Sequence, residues 1–322
     1  MSVVEYIGWT GHGNLGDDAG LAALERLCPT VRFSTEPAGE GGVCVLGGGT
    51  LIHGTDFLQR AQNALARGAR LYVFGAGVNL SAAWQQWPPS LREQWSDVLR
   101  AARRVGVRSP ISLAFLDKLG ISRAYVLGDP ALSLGKRALD HSQVVTLNGG
   151  CDGLPVSRAS AADGGWWFVY RCLQAVARLA RQKGWQLAYM PMRANDDLIG
   201  DSVQNHFPMA RSAIDVHSAM ALANASRLVV ALRLHAAVFA AACGVPAVLL
   251  AYSAKHADFA GSGGLNGYCL STNELTPEQL VQTVCTLEKE RVQISERIWN
   301  TVCAYRERQR ELAAEIVEAA GR

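Results

Sequence analysis

The stretch Leu228–Pro246, LVVALRLHAAVFAAACGVP, sets an arginine and a histidine two residues apart where a strand pattern gives way to a helical one. Arg233 and His235 therefore stand at a strand-to-helix junction. The free N–H groups and dipole of the new helix favour an anion there. A guanidinium adds directed donors, and an imidazole adds a proton that moves near neutral pH. The next apolar run, at 247–251, delivers Lys255 and His256 to the same sheet edge. Four basic groups on adjacent strands point to a small-anion site. The alternative is that Arg233 and His235 only cap or pair locally. Arg108 ends an earlier strand pattern and either joins the site or is a surface arginine.

The opening segment GWTGHGNLGDDAG raises a different possibility. Gly11, Gly13 and Gly16 have the spacing of a dinucleotide-binding turn. A pyrophosphate would sit on the N-terminus of the following helix, but Asp17 and Asp18 occupy that first turn. They suit the helix dipole themselves and repel a phosphate, so NAD is not expected. Capping the helix is as good a reading of the aspartates as a role in chemistry. Further glycines, Gly47, Gly48 and Gly49, then Gly75 and Gly77, are read as loops after the next strands. With Gly11, Gly13, Asn14 and Gly16 they would line one edge of a cleft, where glycine lets backbone approach a ligand. The simpler alternative is tight turns alone.

Those residues need a frame. Short apolar runs alternate with helical patterns from residue 3 onward, the rhythm of parallel sheets covered on both faces. The rhythm breaks at 135–143 and restarts. The expected architecture is α/β, with two Rossmann-like domains at 1–138 and 139–322 and the last helix free to pack back on the first. In such sheets ligands bind beyond the carboxyl ends of the strands, which is where the residues above fall.

Composition narrows the function. The 322 residues are 49% hydrophobic with a formal net charge of +3 and no block of like charge. Bulk charge therefore does not predict nucleic acid. Eight cysteines, including Cys28, Cys151 and Cys303, show no CxxC pair. They are read as buried thiols of a reducing compartment, without disulfides. His12, His53 and His206 lack metal-ligand spacing, and no metal is expected. The start MSVVEYIGW has neither a basic leader nor a long apolar run, and a signal peptide is not expected there. The apolar stretch 236–252 is broken by Gly244 and Pro246, so a buried helix and strand are expected there instead of a membrane span. The location expected is cytoplasmic, with peripheral contact to a membrane face left open. Trp84, Trp87, Trp166 and Trp167 are packing or cleft-wall residues; a tryptophan face also suits a sugar.

With these segments placed, the sequence resembles the polysaccharide pyruvyl transferase family. The likeness runs in order through GNLGDDA (13–19), GGGTLI (47–52), FGAGVN (74–79), VRSPISLAFLDKLG (107–120), GDPAL (128–132) and RLHAAVFAAACGVPAVLLAY (233–252), with Lys255 behind. The resemblance implies a glycosyltransferase-B-like fold of two facing domains. It implies phosphoenolpyruvate as co-substrate without a further cofactor, and a saccharide acceptor, free or lipid-linked, in cell-envelope or exopolysaccharide biosynthesis. The family motif maps onto Arg233, Leu234 and His235, and its earlier arginine onto Arg108. On that basis Arg233, Leu234, Arg108 and Lys255 hold the donor and His235 protonates it. Asp17 or Asp18 acts on the acceptor hydroxyl, and the glycine-rich first domain takes the acceptor. The chain departs from the family in Ser109-Pro110, where an acid is usual, and in Trp9-Thr10, where an aromatic pair is usual. Two other functions compete. A nucleotide-sugar glycosyltransferase would need a ribose-binding carboxylate, for which Asp258 is the available residue. A non-catalytic saccharide-binding subunit would not need His235.

Overall fold

A computed structural model describes residues 1–79, 87–138, 142–150 and 166–322, and the side chain of Trp166 is outside it. Trp84 and Cys151 lie outside the described residues. Contacts divide the chain into two units. The first comprises Met1–His12, Asp17–Leu134 and Cys303–Arg322; the second comprises Gly13–Gly16 and Gly135–Val302.

The first unit contains β1 (Ser2–Ile7), α1 (Leu15–Leu27, from Asp17 onward), β2 (Val31–Ser34), β3 (Val43–Leu46), β4 (Gly49–Ile52), α2 (Asp56–Ala66), β5 (Arg70–Val78), α3 (Pro89–Ala101), β6 (Arg104–Val107), α4 (Pro110–Lys118) and β7 (Tyr125–Val126). All strand pairs are parallel, in the order β2-β1-β3-β5-β6-β7, with β4 also on β5. The order reverses between β1 and β3, where an open sheet leaves its crevice. β3 reads VCVL and is buried throughout, the composition expected of a strand covered on both faces.

The reading of Gly75 and Gly77 as a loop after a strand is corrected here. Both lie inside β5, which runs on to Val78. Gly75 has φ +76, and a Cβ there would meet Pro130 at 2.6 Å. The β5–β6 register shifts between Phe74 and Ala76. Gly75 is thus the irregular step that lets β5 continue and pair with β4, at Gly49↔Ala76. Gly49 accordingly starts a strand instead of ending a loop. α1 begins at Leu15 and takes Gly16 into its first turn with Asp17 and Asp18.

The second unit contains β8 (Val144–Asn148), α5 (Trp166–Gln182), β9 (Gln186–Tyr189), α6 (Asp197–Gln204), β10 (Ala210–Arg211), α7 (Val216–Asn224), β11 (Ser226–Ala231), α8 (Leu234–Ala242), β12 (Ala247–Ala251), α9 (Ala254–Ser262), β13 (Cys269–Ser271) and α10 (Pro277–Lys289). Its sheet is parallel in the order β10-β9-β8-β11-β12-β13, reversing between β8 and β11. The short elements α6, β10, α9 and β13 carry too little periodicity to be read from sequence. The long apolar stretch resolves into α8 and β12, as expected, turned by Gly244 at φ +70. Among the described residues no helix is long and apolar enough to cross a membrane.

The final helix, α11 (Arg291–Ala320), belongs to the second unit up to Val302 and to the first from Cys303. In the first unit its buried Gln309 donates Nε2 to the carbonyls of Leu127 (3.2 Å) and Asp129 (2.9 Å), and Arg306 donates to Leu132 O at 2.8 Å. The GDPAL segment is held by these bonds. Cys28, Cys44, Cys172 and Cys243 are buried, whereas Cys303 is exposed, which corrects the reading of all the cysteines as buried. Burial pushes the Cys28 and Cys172 thiols up to about 12.

Candidate active site

In the second unit the carboxyl ends of β8 and β11 meet at the reversal of strand order, and Asn148 joins them. Asn148 is fully buried. Its Oδ1 accepts from the backbone N–H of Leu232 (3.2 Å) and Arg233 (2.7 Å), and its Nδ2 donates to Met190 O at 2.8 Å. Arg233 takes the N-cap position of α8 with extended backbone, so its side chain leaves β11 where the helix begins. Arg233 is 9% exposed, and its guanidinium bonds Asp196, with Nη2 to Oδ1 at 2.6 Å and Nε to Oδ1 at 3.1 Å. Gly150 lies against it; a Cβ there would come within 2.5 Å of Nη2. Arg233 thus pairs locally with Asp196. Leu234 is buried in the first turn of α8.

His235 follows in that turn and is half-buried. Its ring rests on Gly16, also of the second unit. A Cβ at Gly16 would lie 1.9 Å from Nδ1 of His235. Asn14 Oδ1 accepts from Gly16 N at 3.3 Å, and Leu15 N donates to Met192 O at 3.2 Å. The third glycine of the dinucleotide-like spacing makes room for an imidazole.

His256 is fully buried, so it does not add a surface cation as expected. Its Nε2 lies 3.0 Å from Leu232 O and its Nδ1 3.1 Å from Ser253 Oγ. A carbonyl only accepts, so Nε2 carries a proton toward Leu232, while Nδ1 also lies 3.3 Å from Ser253 O. The ring fixes the end of β11 just before Arg233. Lys255 is half-buried at the start of α9, with Nζ 5.8 Å from the centre of the Tyr252 ring.

In the first unit the crevice position is filled by protein. The buried Tyr6 ring lies across the ends of β1 and β3; a Cβ at Gly8 or Gly47 would come within 2.4 or 2.2 Å of it. Burial, then the neighbouring carboxylates of Asp17 and Asp129, drive the Tyr6 hydroxyl far above its ordinary range. Gly48 lets α1 approach, its Cβ position 3.6 Å from Gly20 Cα and 3.0 Å from Pro130 Cγ. Asp18 Oδ1 accepts from Thr10 Oγ1 (2.9 Å) and Gly11 N (2.7 Å), tying down the loop in which Gly11 and Gly13 have positive φ. Asp17 Oδ1 lies 2.8 Å from where a Cβ of Gly49 would stand.

Arg108 follows β6 and is 9% exposed. Its Nη2 donates to Thr50 Oγ1 at 3.3 Å, and the guanidinium covers Gly77, whose Cβ would lie 2.8 Å from Nη2. Gly77 is glycine because an arginine occupies its side-chain space. Ser109 and Pro110 start the next helix: Ser109 Oγ caps α4 by accepting from Ser112 N, and Pro110 stands in its first turn. Asn148, Asp196, Gly150 and Thr50 escaped sequence reasoning. In Asn195-Asp196-Asp197, adjacent polar residues look alike, and only folding selects the one that turns inward.

Among solved structures the chain is similar to UDP-GlcNAc 2-epimerase from Neisseria meningitidis bound to UDP-GlcNAc, with a TM-score of 0.57 at 10% identity over 96% of this chain and 99% of that one. It is similar to a glycosyltransferase from Rickettsia africae, at 0.57 and 8% over 99% and 98%. It is also similar to UDP-GlcNAc 2-epimerase from Methanocaldococcus jannaschii in complex with UDP-GlcNAc and UDP, at 0.52 and 11% over 89% and 93%. These likenesses show the fold: α/β with two Rossmann-like domains, glycosyltransferase-B-like. No curated protein compared with the chain matches it. The family model for polysaccharide pyruvyl transferase matches residues 14–254, from Asn14 beside the His235 seat to past the Arg233 junction, and the chain belongs to that family.

Proposed function

We propose that the protein transfers the pyruvyl group of phosphoenolpyruvate to a saccharide as a ketal, within cell-envelope polysaccharide synthesis in the cytoplasm. The observation that carries this reading is the placement of Arg233 and His235 together at the start of α8, at the strand-order reversal of the second sheet. Phosphoenolpyruvate is small and multiply anionic, and suits a guanidinium beside a helix N-terminus. His235 gives its proton to the enol methylene, which becomes the methyl group. A sugar hydroxyl then adds to the adjacent carbon and loses its proton. A second hydroxyl displaces the phosphate, which takes up that hydroxyl's proton and leaves as inorganic phosphate as the ketal closes.

Arg233, Leu234 and Lys255 hold the donor in the second unit, and Arg108 is the buried cation of the first unit. The first unit, with its glycine-rich segments, takes the acceptor. Asp17 or Asp18, in the first turn of α1, draws the acceptor's proton. No resident cofactor or metal enters the scheme.

The test is incubation with phosphoenolpyruvate and an oligosaccharide extract of the source cell. Mass spectrometry should find pyruvylated sugar, with phosphate released in step. Turnover of a nucleotide sugar with release of nucleotide, and none with phosphoenolpyruvate, would establish a glycosyltransferase instead.

A further inference from the structure

One fully buried charged side chain stands outside the chemistry just described. Asp196 is 0% exposed. A carboxylate out of water must be paired and hydrogen-bonded. Asp196 Oδ1 accepts from Nη2 (2.6 Å) and Nε (3.1 Å) of Arg233, and Oδ2 accepts from Met192 N at 3.0 Å. Its own carbonyl accepts from Tyr189 OH at 2.7 Å. Arg233 is held at its backbone by Asn148, at its guanidinium by Asp196, and against Gly150, which leaves it the space of a side chain.

The location separates this pair from an ordinary structural one. It stands beyond β8 and β11, where sheets of this kind bind ligands. There a carboxylate is a handicap, because it neutralises the charge that attracts an anion. What it supplies is orientation: a planar guanidinium fixed on one edge loses little freedom when it binds. We propose that Asp196 is a positioning residue of the donor site. It holds Arg233 so that the arginine meets the anion through directed N–H groups, and net charge contributes little. This rests on the reading that Arg233 binds phosphoenolpyruvate.

The experiment uses the full chain with ¹⁵N-labelled arginine, and calorimetry with phosphoenolpyruvate. Asp196→Asn keeps the shape but turns an NH2 group toward either Arg233 or Met192. It should abolish the exchange-protected Nε–H signal of Arg233. It should weaken phosphoenolpyruvate binding by about 10–100-fold, the range seen when a side chain that orients a metal ligand from behind is removed. KM for the donor should rise more than kcat falls. Arg233→Lys, which keeps the charge without the fork, should weaken binding to a similar degree. Asp201→Asn, which removes an Arg211 ion pair from the neighbouring helix, should change neither signal nor affinity.

A folded Asp196→Asn protein that binds the donor equally or more tightly overturns the proposal, and tighter binding would make Asp196 a brake. If that variant does not fold, Tyr189→Phe loosens the Asp196 carbonyl instead. A smaller loss of affinity supports the proposal and none overturns it. A wild-type protein that binds no phosphoenolpyruvate is a separate result: it overturns the functional reading, and this inference with it.

Discussion

The imidazole of His235 occupies the place where Gly16 would carry a side chain, with Nδ1 1.9 Å from the position of a Cβ. An alanine would otherwise be welcome there, because it favours a first helical turn over glycine by about 1 kcal/mol. The ring would have to leave its seat, as in other overpacked sites. Gly16→Ala should therefore cut turnover toward the level of His235→Ala. The double variant should be no worse than His235→Ala alone. Steady-state kinetics on all three proteins checks this, and independent, additive losses would disprove the link.

His235 and Arg233 should fail differently. His235→Ala should lose about 10²–10⁴-fold in turnover, the usual range for a general acid, with donor binding weakened less. Arg233→Ala should weaken binding by about 2–5 kcal/mol, since truncation also leaves Asp196 buried without its arginine. Titration with phosphoenolpyruvate alongside kcat separates the two. Near-normal turnover by His235→Ala would reduce the histidine to a helix-start residue.

Glu5 offers a test of stability away from the chemistry. It is 3% exposed on β1, and its Oε2 accepts from Arg67 Nη2 at 2.6 Å and Ala38 N at 3.1 Å. Glu5→Ala leaves a buried backbone donor without its acceptor, which costs about 1–3 kcal/mol. Arg67 is 30% exposed and can return to water, so the loss should stay below that of a fully buried pair broken on one side. Urea denaturation measures it, and an unchanged midpoint would refute the assignment.

Alkaline stability should report Tyr268. Its hydroxyl donates to Glu290 Oε2 at 2.6 Å, and burial, aided by that bond, pushes it up from 10 to about 12. The unfolded chain gives up this proton first. Stability from Tyr268 is therefore complete below pH 10 and drains away as pH rises toward about 12. Tyr268→Phe should lose about 1 kcal/mol at neutral pH for the hydrogen bond. It should also show a shallower decline of melting temperature above pH 10. An unchanged slope would mean that the hydroxyl is not protected.

Alternation of apolar runs with helical patterns was enough to read the α/β class and most long elements, because burial on both faces of a parallel strand demands continuous apolar residues. The Arg233-Leu234-His235 junction was legible for the same reason: a strand ended, a helix began, and polar residues interrupted an apolar run. Three-dimensional closure decided the rest. Gly75 and Gly77 look like any strand-ending glycines until β5 is seen to continue through them, with Pro130 and Arg108 in their side-chain space. Gly16 has the spacing of a phosphate turn, yet its neighbour is a histidine 219 positions along the chain (235 less 16). Asp196 and Asn148 are short polar residues that composition would place at the surface, and they are buried because Arg233 brings donors to them. Periodicity records which side of an element faces the core. Which residue fills the space above a glycine, or meets a buried carboxylate, is a contact between distant parts of the chain and exists only once it has folded.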